Sequence, residues 1–282
     1  MREEPMPSGK TAPSMLYGTA WKEEATQTLT ELAIQQGFRG IDTANQRKHY
    51  YEAAVGAGIA ASINQGLVIR DELFIQTKFT FRAGQDQRLP YDPRAPIEAQ
   101  VMQSCASSRE HLHIDHIDSY VLHGPSRNEG LGPADWSAWK AMEELHDRGI
   151  VGSLGISNVD LDQLEELCSR VRIKPRFVQN RCYAVQGWDR EIREYCRGQE
   201  ITYQGFSLLT ANRAVMASAD VARIAKRVER TPAEVIFRFA LQLGMLPLTG
   251  TTNARHMQAD LSVQQFSLLE SEVQTIEYLA QR

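Results

Sequence analysis

Short apolar runs alternate with longer segments of helical periodicity along almost the whole chain. The first run, Ser14 to Tyr17, stops at Gly18-Thr19-Ala20-Trp21, and Ala25, Leu29, Leu32 and Ala33 then recur at helical spacing, which predicts a helix over roughly Glu23 to Gln36. Gly37 to Asn45 reads as a glycine turn and a brief buried strand with Asp42 at its C-terminal tip, followed by a helix from about Tyr50 to Gln65. Leu73 to Lys78 is the third strand, and the polar stretch from Phe79 to Pro96, with Pro90, Pro93 and Pro96, is a long loop. A helix over Ile97 to Leu112 leads to strand Ile117 to His123, which Gly124-Pro125 ends. The alternation continues through helix Ala134 to Arg148, strand Val151 to Ser157, helix Leu161 to Val171, strand Arg176 to Asn180, helix Asp189 to Arg197 and strand Ile201 to Gly205. A short helix near Ala219 to Arg227 follows, and Thr231-Pro232 has the form of an N-cap with a first-turn proline, opening a helix to about Leu243. Met245 to Leu248 is the last strand, with helices from about Arg255 and over Ser267 to Ala280.

Strands that alternate with helices imply a parallel sheet covered on both faces. Eight such units, with no composition break, predict an α/β fold: an eight-stranded parallel (β/α)8 barrel of the TIM type, a single domain over residues 14–282. Residues 1–13, polar and rich in proline, are expected to form a flexible leader. A doubly wound open sheet is the alternative, but Gly18-Thr19-Ala20-Trp21 does not supply the GxGxxG that such a sheet carries after its first strand.

The 282 residues carry 31 Lys and Arg against 35 Asp and Glu, a net charge of −4, so there is no electrostatic footprint for nucleic acid. No apolar run approaches the ~20 residues of a membrane span. The N-terminus has no apolar signal core, which points to a cytoplasmic location. Cys105, Cys168, Cys182 and Cys196 show no CxxC spacing and read as buried reduced thiols. His111 and His113 form an HxH pair near His116, but they fall at the helix end before strand four, away from the strand tips, and read as solvated residues; no metal site is expected. Oligomeric state is not readable.

In a barrel of this kind the loops after the strands build the active site. The strand tips carry Trp21, Asp42, Lys78, His123, Ser157-Asn158, Gln179-Asn180, Phe206-Ser207 and Thr249-Gly250-Thr251. Asp42 taken alone is as readily a helix cap as a functional acid. Set beside Lys78 it offers an ion pair that keeps the lysine charged, and that cation can lower the pKa of a nearby tyrosine enough for proton transfer. A neutral His123 could orient a carbonyl. Side chains carry no hydride, so reduction needs a bound nicotinamide, for which Phe206 offers a stacking face.

In this order and spacing Gly37-Phe38-Arg39-Gly40-Ile41-Asp42-Thr43-Ala44, Phe74-Ile75-Gln76-Thr77-Lys78, Ile117 to Pro125, Gly155-Ile156-Ser157-Asn158, Val178-Gln179-Asn180 and Pro247 to Thr251 make the sequence resemble the aldo-keto reductases over almost its whole length. The resemblance implies reversible reduction of an aldehyde or ketone by NADPH, with a small-molecule carbonyl substrate. It assigns Asp42, Lys78, His123 and a tyrosine to catalysis, the tyrosine as general acid. The tyrosine's usual position is Arg47 here, so the first available are Tyr50 and Tyr51; Tyr50 is expected because Glu52 and Val55-Gly56 then keep their family spacing. Ser157, Asn158 and Gln179 are expected to hold the carboxamide, Phe206 to stack on the ring, and Ser207 and Leu208 to run toward the pyrophosphate. Gly18, Thr19, Asp42, Thr249, Gly250, Thr251 and Asp260 complete the expected cofactor contacts. Leu248 stands where many members have a lysine on the 2′-phosphate, so Arg255 or His256 is expected to serve instead and NADH stays open as cofactor. Trp21, Tyr51, Phe79 and His123 are expected to face substrate. The alternative reading is a cofactor-binding regulatory protein with little turnover.

Overall fold

The computed structural model describes residues 13–281, so the expected leader lies outside the described residues apart from Pro13. Eight parallel strands, each bonded to the next in chain order, close into a barrel when the last pairs with the first. They are β1 Leu16–Gly18, β2 Gly40–Asp42, β3 Phe74–Phe79, β4 Ile117–Leu122, β5 Val151–Ser157, β6 Phe177–Arg181, β7 Thr202–Phe206 and β8 Leu246–Thr249. Around them lie α1 Thr26–Gln35, α2 Glu52–Asn64, α3 Ile97–Leu112, α4 Pro133–Asp147, α5 Leu161–Arg170, α6 Arg190–Gly198, the single turn α7 Arg213–Met216, α8 Ala219–Val228, α9 Pro232–Gln242, α10 Ala254–Ser262 and α11 Glu270–Tyr278.

Local chemistry sets several of these boundaries. After α1 the chain reverses on Gly37, whose φ of 109° few side chains adopt, while Gly37 and Phe38 return hydrogen bonds to Ile34 and Ala33; this turn delivers β2. Thr231 caps α9, accepting from Glu234 N while Glu234 Oε2 accepts from Thr231 N. Asp160 and Gln163 make the same reciprocal box at α5. At Gly56 the α2 backbone passes so close to α3 that a Cβ would stand 1.9 Å from the His111 carbonyl oxygen.

Apolar side chains fill two compartments. The larger lies between sheet and helices; the smaller, made of Leu16, Phe74, Phe177, Leu246 and Leu248, plugs the barrel interior, with Phe74 and Phe177 edge to face at 5.6 Å. The last helix is clasped to the barrel's outer layer: the Trp188 indole donates to Ile276 O at 3.3 Å, Arg193 meets Glu277 at 2.7 Å, and Arg227 forks onto Glu272. All four cysteines are free and buried, and burial pushes the thiols of Cys105, Cys182 and Cys196 up to about 12. Among the described residues no helix is long and apolar enough to cross a membrane.

The structure departs from expectation in places that affect the site. Tyr50 precedes α2 instead of opening it. Residues 184–189 form a 3-10 segment in which Gly187, Trp188 and Asp189 all have positive φ, and this folds the Trp188 ring fully into the core. His111, at the partly exposed end of α3, is not free: its ring meets the buried carboxylate of Glu52 at 3.0 Å, which raises its pKa.

Candidate active site

Asp42 ends β2 inside the barrel mouth, where register sets it beside Gly18 on β1 and Gln76 on β3. Its Oδ1 accepts from Lys78 Nζ at 2.6 Å, Gln76 Nε2 at 2.7 Å and Gln179 Nε2 at 3.0 Å. Lys78 is completely buried and also donates to Thr43 O at 2.8 Å. Burial lowers its pKa, and the touching Asp42 carboxylate opposes that shift. The ion pair is therefore the condition for keeping a cation in this place at all.

Tyr50 stands beside the pair: Lys78 Nζ is 5.4 Å from its ring centroid, and the His123 ring meets it edge-on at 5.8 Å. Burial first, then the Asp42 charge, raises the Tyr50 pKa. The expected lowering by Lys78 is thus not what the structure gives; Tyr50 is a firmly protonated phenol, suited to giving a proton to a more basic oxygen. His123 is pushed down to about 3, by burial and then by the Lys78 charge, so its imidazole is neutral. Its Nδ1 is engaged by the Thr80 hydroxyl at 2.7 Å and its carbonyl accepts from Asn158 at 2.7 Å, which fixes the ring.

These groups lie at one end of a cavity of about 580 Å³. Gly18, Trp21, Asp42, Tyr50, His123, Ser157, Asn158, Gln179, Phe206, Ser207, Leu208, Thr249, Gly250, Thr251, His256 and Asp260 all line it. Trp21, 68% exposed, stacks on His49 at 4.0 Å and forms an apolar flank at the mouth. At the far end Asp260 is buried and accepts from Thr249 Oγ1 at 2.7 Å; burial raises it to about 6.

Four expected residues are turned elsewhere. Thr19 is buried with its hydroxyl spent on the Asp42 carbonyl at 2.9 Å, so it braces the β2 tip without lining the cavity. Phe79 follows the inward-facing Lys78, and strand alternation sends it outward against Phe81 and Tyr91. Tyr51 lies beneath the Arg47 guanidinium at 4.0 Å on a separate pocket, and Arg255 is exposed while its neighbour His256 reaches the cavity.

Other contributors carried no strand-tip signal. Thr231, Ala233 and Phe237 extend the cavity along the start of α9. Lys22 Nζ donates to Gly250 O at 2.7 Å, and burial lowers it to about 8, placing a cation at the rim that remains mostly charged at neutral pH. A lysine following Trp21 was visible in the sequence; its reach across the mouth to β8 was not.

Comparison with known proteins identifies the family. The profile of the aldo/keto reductase family matches residues 9–281. Aldo-keto reductase family 1 member C3 of Homo sapiens is 27% identical over 305 residues, spanning 96% of this chain and 89% of that protein. Glyoxal reductase of Bacillus subtilis (strain 168) is 29% identical over 256 residues, spanning 91% and 83%. Among solved structures, a Bombyx mori aldo-keto reductase in complex with NADP superposes with a TM-score of 0.82 at 22% identity, covering 97% of this chain and 91% of the other. The aldose reductase from Schistosoma japonicum gives 0.83 at 23%, covering 99% and 92%. The chain belongs to the aldo/keto reductase family, and with it to the NAD(P)H-dependent oxidoreductases.

Proposed function

We propose that this protein reduces an aldehyde or ketone to the alcohol with NADPH, using Tyr50 as the general acid. The observation that carries the reading is the meeting of Asp42, Tyr50 and His123 on one cavity, with Lys78 buried behind them against Asp42, and a wall that continues through Gln179, Phe206 and His256. That wall suits a nicotinamide dinucleotide: Phe206 presents a ring face, Ser157, Asn158 and Gln179 present polar groups, Lys22 supplies positive charge at the rim, and His256 presents an imidazole to hydrogen-bond phosphate. Bound there, the dihydronicotinamide supplies the hydride that no side chain carries.

The chain's own residues do the rest. Neutral His123, held through Nδ1 by Thr80, turns its other nitrogen to the carbonyl oxygen and fixes its direction. As charge develops on that oxygen, Tyr50 donates its phenolic proton. A raised phenol pKa does not obstruct this step, because an alkoxide is more basic than a phenolate. The Lys78 cation beside the ring steadies the phenolate left behind, and Asp42 keeps Lys78 charged and in place. Trp21 supplies apolar contact at the mouth, suited to a hydrophobic substrate body.

The test is NADPH consumption with 4-nitrobenzaldehyde. Tyr50→Phe is expected to lower kcat by about 10²- to 10⁴-fold, whereas Tyr51→Phe stays within about threefold of wild type, since it removes only a hydroxyl outside the cavity. Full activity in Tyr50→Phe would remove that residue from the reaction, and inactivity of the wild type across a broad carbonyl panel would remove the function. Running NADH beside NADPH decides the cofactor: with His256 where an arginine or lysine would grip a 2′-phosphate more firmly, NADPH is expected to lead by a modest margin.

A further inference from the structure

Below the lysine–aspartate pair the barrel interior carries a polar layer beside its apolar plug. Gln76 on β3, Ser119 on β4 and Gln204 on β7 are fully buried there, with Gln76 in register with Asp42 and Ser119, and Gln204 in register with Gln179. Gln76 and Gln204 bond reciprocally across the barrel: Gln76 Nε2 donates to Gln204 Oε1 at 2.8 Å and Gln204 Nε2 to Gln76 Oε1 at 3.0 Å. Ser119 Oγ donates to Gln76 Oε1 at 2.9 Å. The second hydrogen of Gln76 Nε2 goes to Asp42 Oδ1 at 2.7 Å.

Gln179 closes the circuit. Its Nε2 donates to Asp42 Oδ1 at 3.0 Å and to Gln204 Oε1 at 2.9 Å, which uses both amide hydrogens. What it has left for the cavity is its carbonyl oxygen. A half-turn of that amide would set its oxygen against two acceptors, Asp42 Oδ1 and Gln204 Oε1, in a buried place where unpaired polar atoms are costly. The Gln179 orientation is therefore dictated from below.

The geometry points to Gln204 and Gln76 as positioning residues with separable tasks. Gln204 holds Gln179 so that an acceptor faces the cavity, making the site selective for a nicotinamide that carries a primary carboxamide N–H. Gln76 supplies one of the three donors that hold Asp42 against Lys78. The inference rests on the functional reading above, in which Gln179 meets the carboxamide. Filler glutamines that only completed a packed barrel would have no reason to act on cofactor selection and proton donation separately.

The experiment compares Kd for NADPH and for its 3-acetylpyridine analogue, in which a methyl ketone replaces the carboxamide and no N–H remains, alongside kcat with 4-nitrobenzaldehyde. Wild type is expected to bind the analogue about tenfold more weakly, the worth of one or two hydrogen bonds. Gln204→Met, similar in length but without the amide, is expected to shrink that ratio to about threefold with kcat little changed. Gln76→Met leaves Gln204 Oε1 in place, so the ratio stays near the wild-type value while kcat falls about fivefold. Because the ratio is taken within one preparation, partial unfolding of a variant does not alter it. The inference is overturned if Gln204→Met keeps the wild-type ratio, or if the two variants move ratio and kcat in the same proportion. A wild type that binds neither dinucleotide overturns the functional reading as well, so the two failures are told apart by NADPH binding alone.

Discussion

Asp260 shows what the cavity does to a single side chain. Its carboxyl is 4% exposed, lies near Glu234, and keeps one strong donor, Thr249. Burial lifts it from 3.8 to about 6, so the folded state holds this proton more tightly than the unfolded chain does. The contribution to stability is accordingly most favourable below about pH 4, declines as pH rises toward 6, and is flat beyond, at a cost on the order of 2–3 kcal/mol. Asp260→Asn is expected to raise the Tm at pH 7.5 and to narrow the difference between Tm values at pH 5 and pH 7.5; an unchanged difference would show that this group does not carry it. At this scale the sequence told residue type and strand-tip position, which was enough to assemble Asp42, Lys78 and His123. It did not tell which way a tip residue turns. Lys78 and Phe79 are adjacent in the chain, yet Lys78 turns inward onto Asp42 and Phe79 toward the helical layer, and Tyr50 lines the main cavity whereas Tyr51 lines only the second pocket.

Elements were legible where local chemistry marks them. Helix α3 has the limits its periodicity predicts, and the Thr231–Glu234 box opens α9 where Thr231-Pro232 indicates. The segment 184–189 was missed because its left-handed Trp188 and Asp189 run against propensity and are held by tertiary contacts, among them the indole bond to Ile276. The crossing of α2 over α3 was equally hidden, since Gly56 looks like any glycine in a helix until its distance from the His111 backbone is known. Gly56→Ala is expected to destabilise the protein by about 1–3 kcal/mol by pushing α2 off α3, although alanine is the better helix former. Denaturant unfolding checks this; a neutral or stabilising result would mean that the helices part at little cost. Since α2 begins at Glu52, directly after Tyr50 and Tyr51, the same variant is also expected to raise the substrate KM.

At the scale of the whole molecule, the barrel was readable because alternating strands and helices leave few ways to bury both faces of a parallel sheet. The layering inside it was not. Single glutamines in β3 and β7 look like interruptions of apolar strands, and only closure of the barrel brings them to the same level as Asp42. The four cysteines belong to this scale too, because distinct parts of the packed layer cover each of them. Reaction of the native protein with a thiol-labelling disulfide is expected to be negligible over the minutes in which the denatured chain releases four equivalents; rapid native labelling of even one would show an opening the fold does not display. Enones are electrophiles that alkylate thiolates by conjugate addition, and aldehydes add to them reversibly as hemithioacetals. A catalyst that gathers them in an open-mouthed cavity is exposed to inactivation by its own substrates. With its thiols buried and burial raising their pKa values, the proposed reductase would offer such compounds no ready sulfur nucleophile.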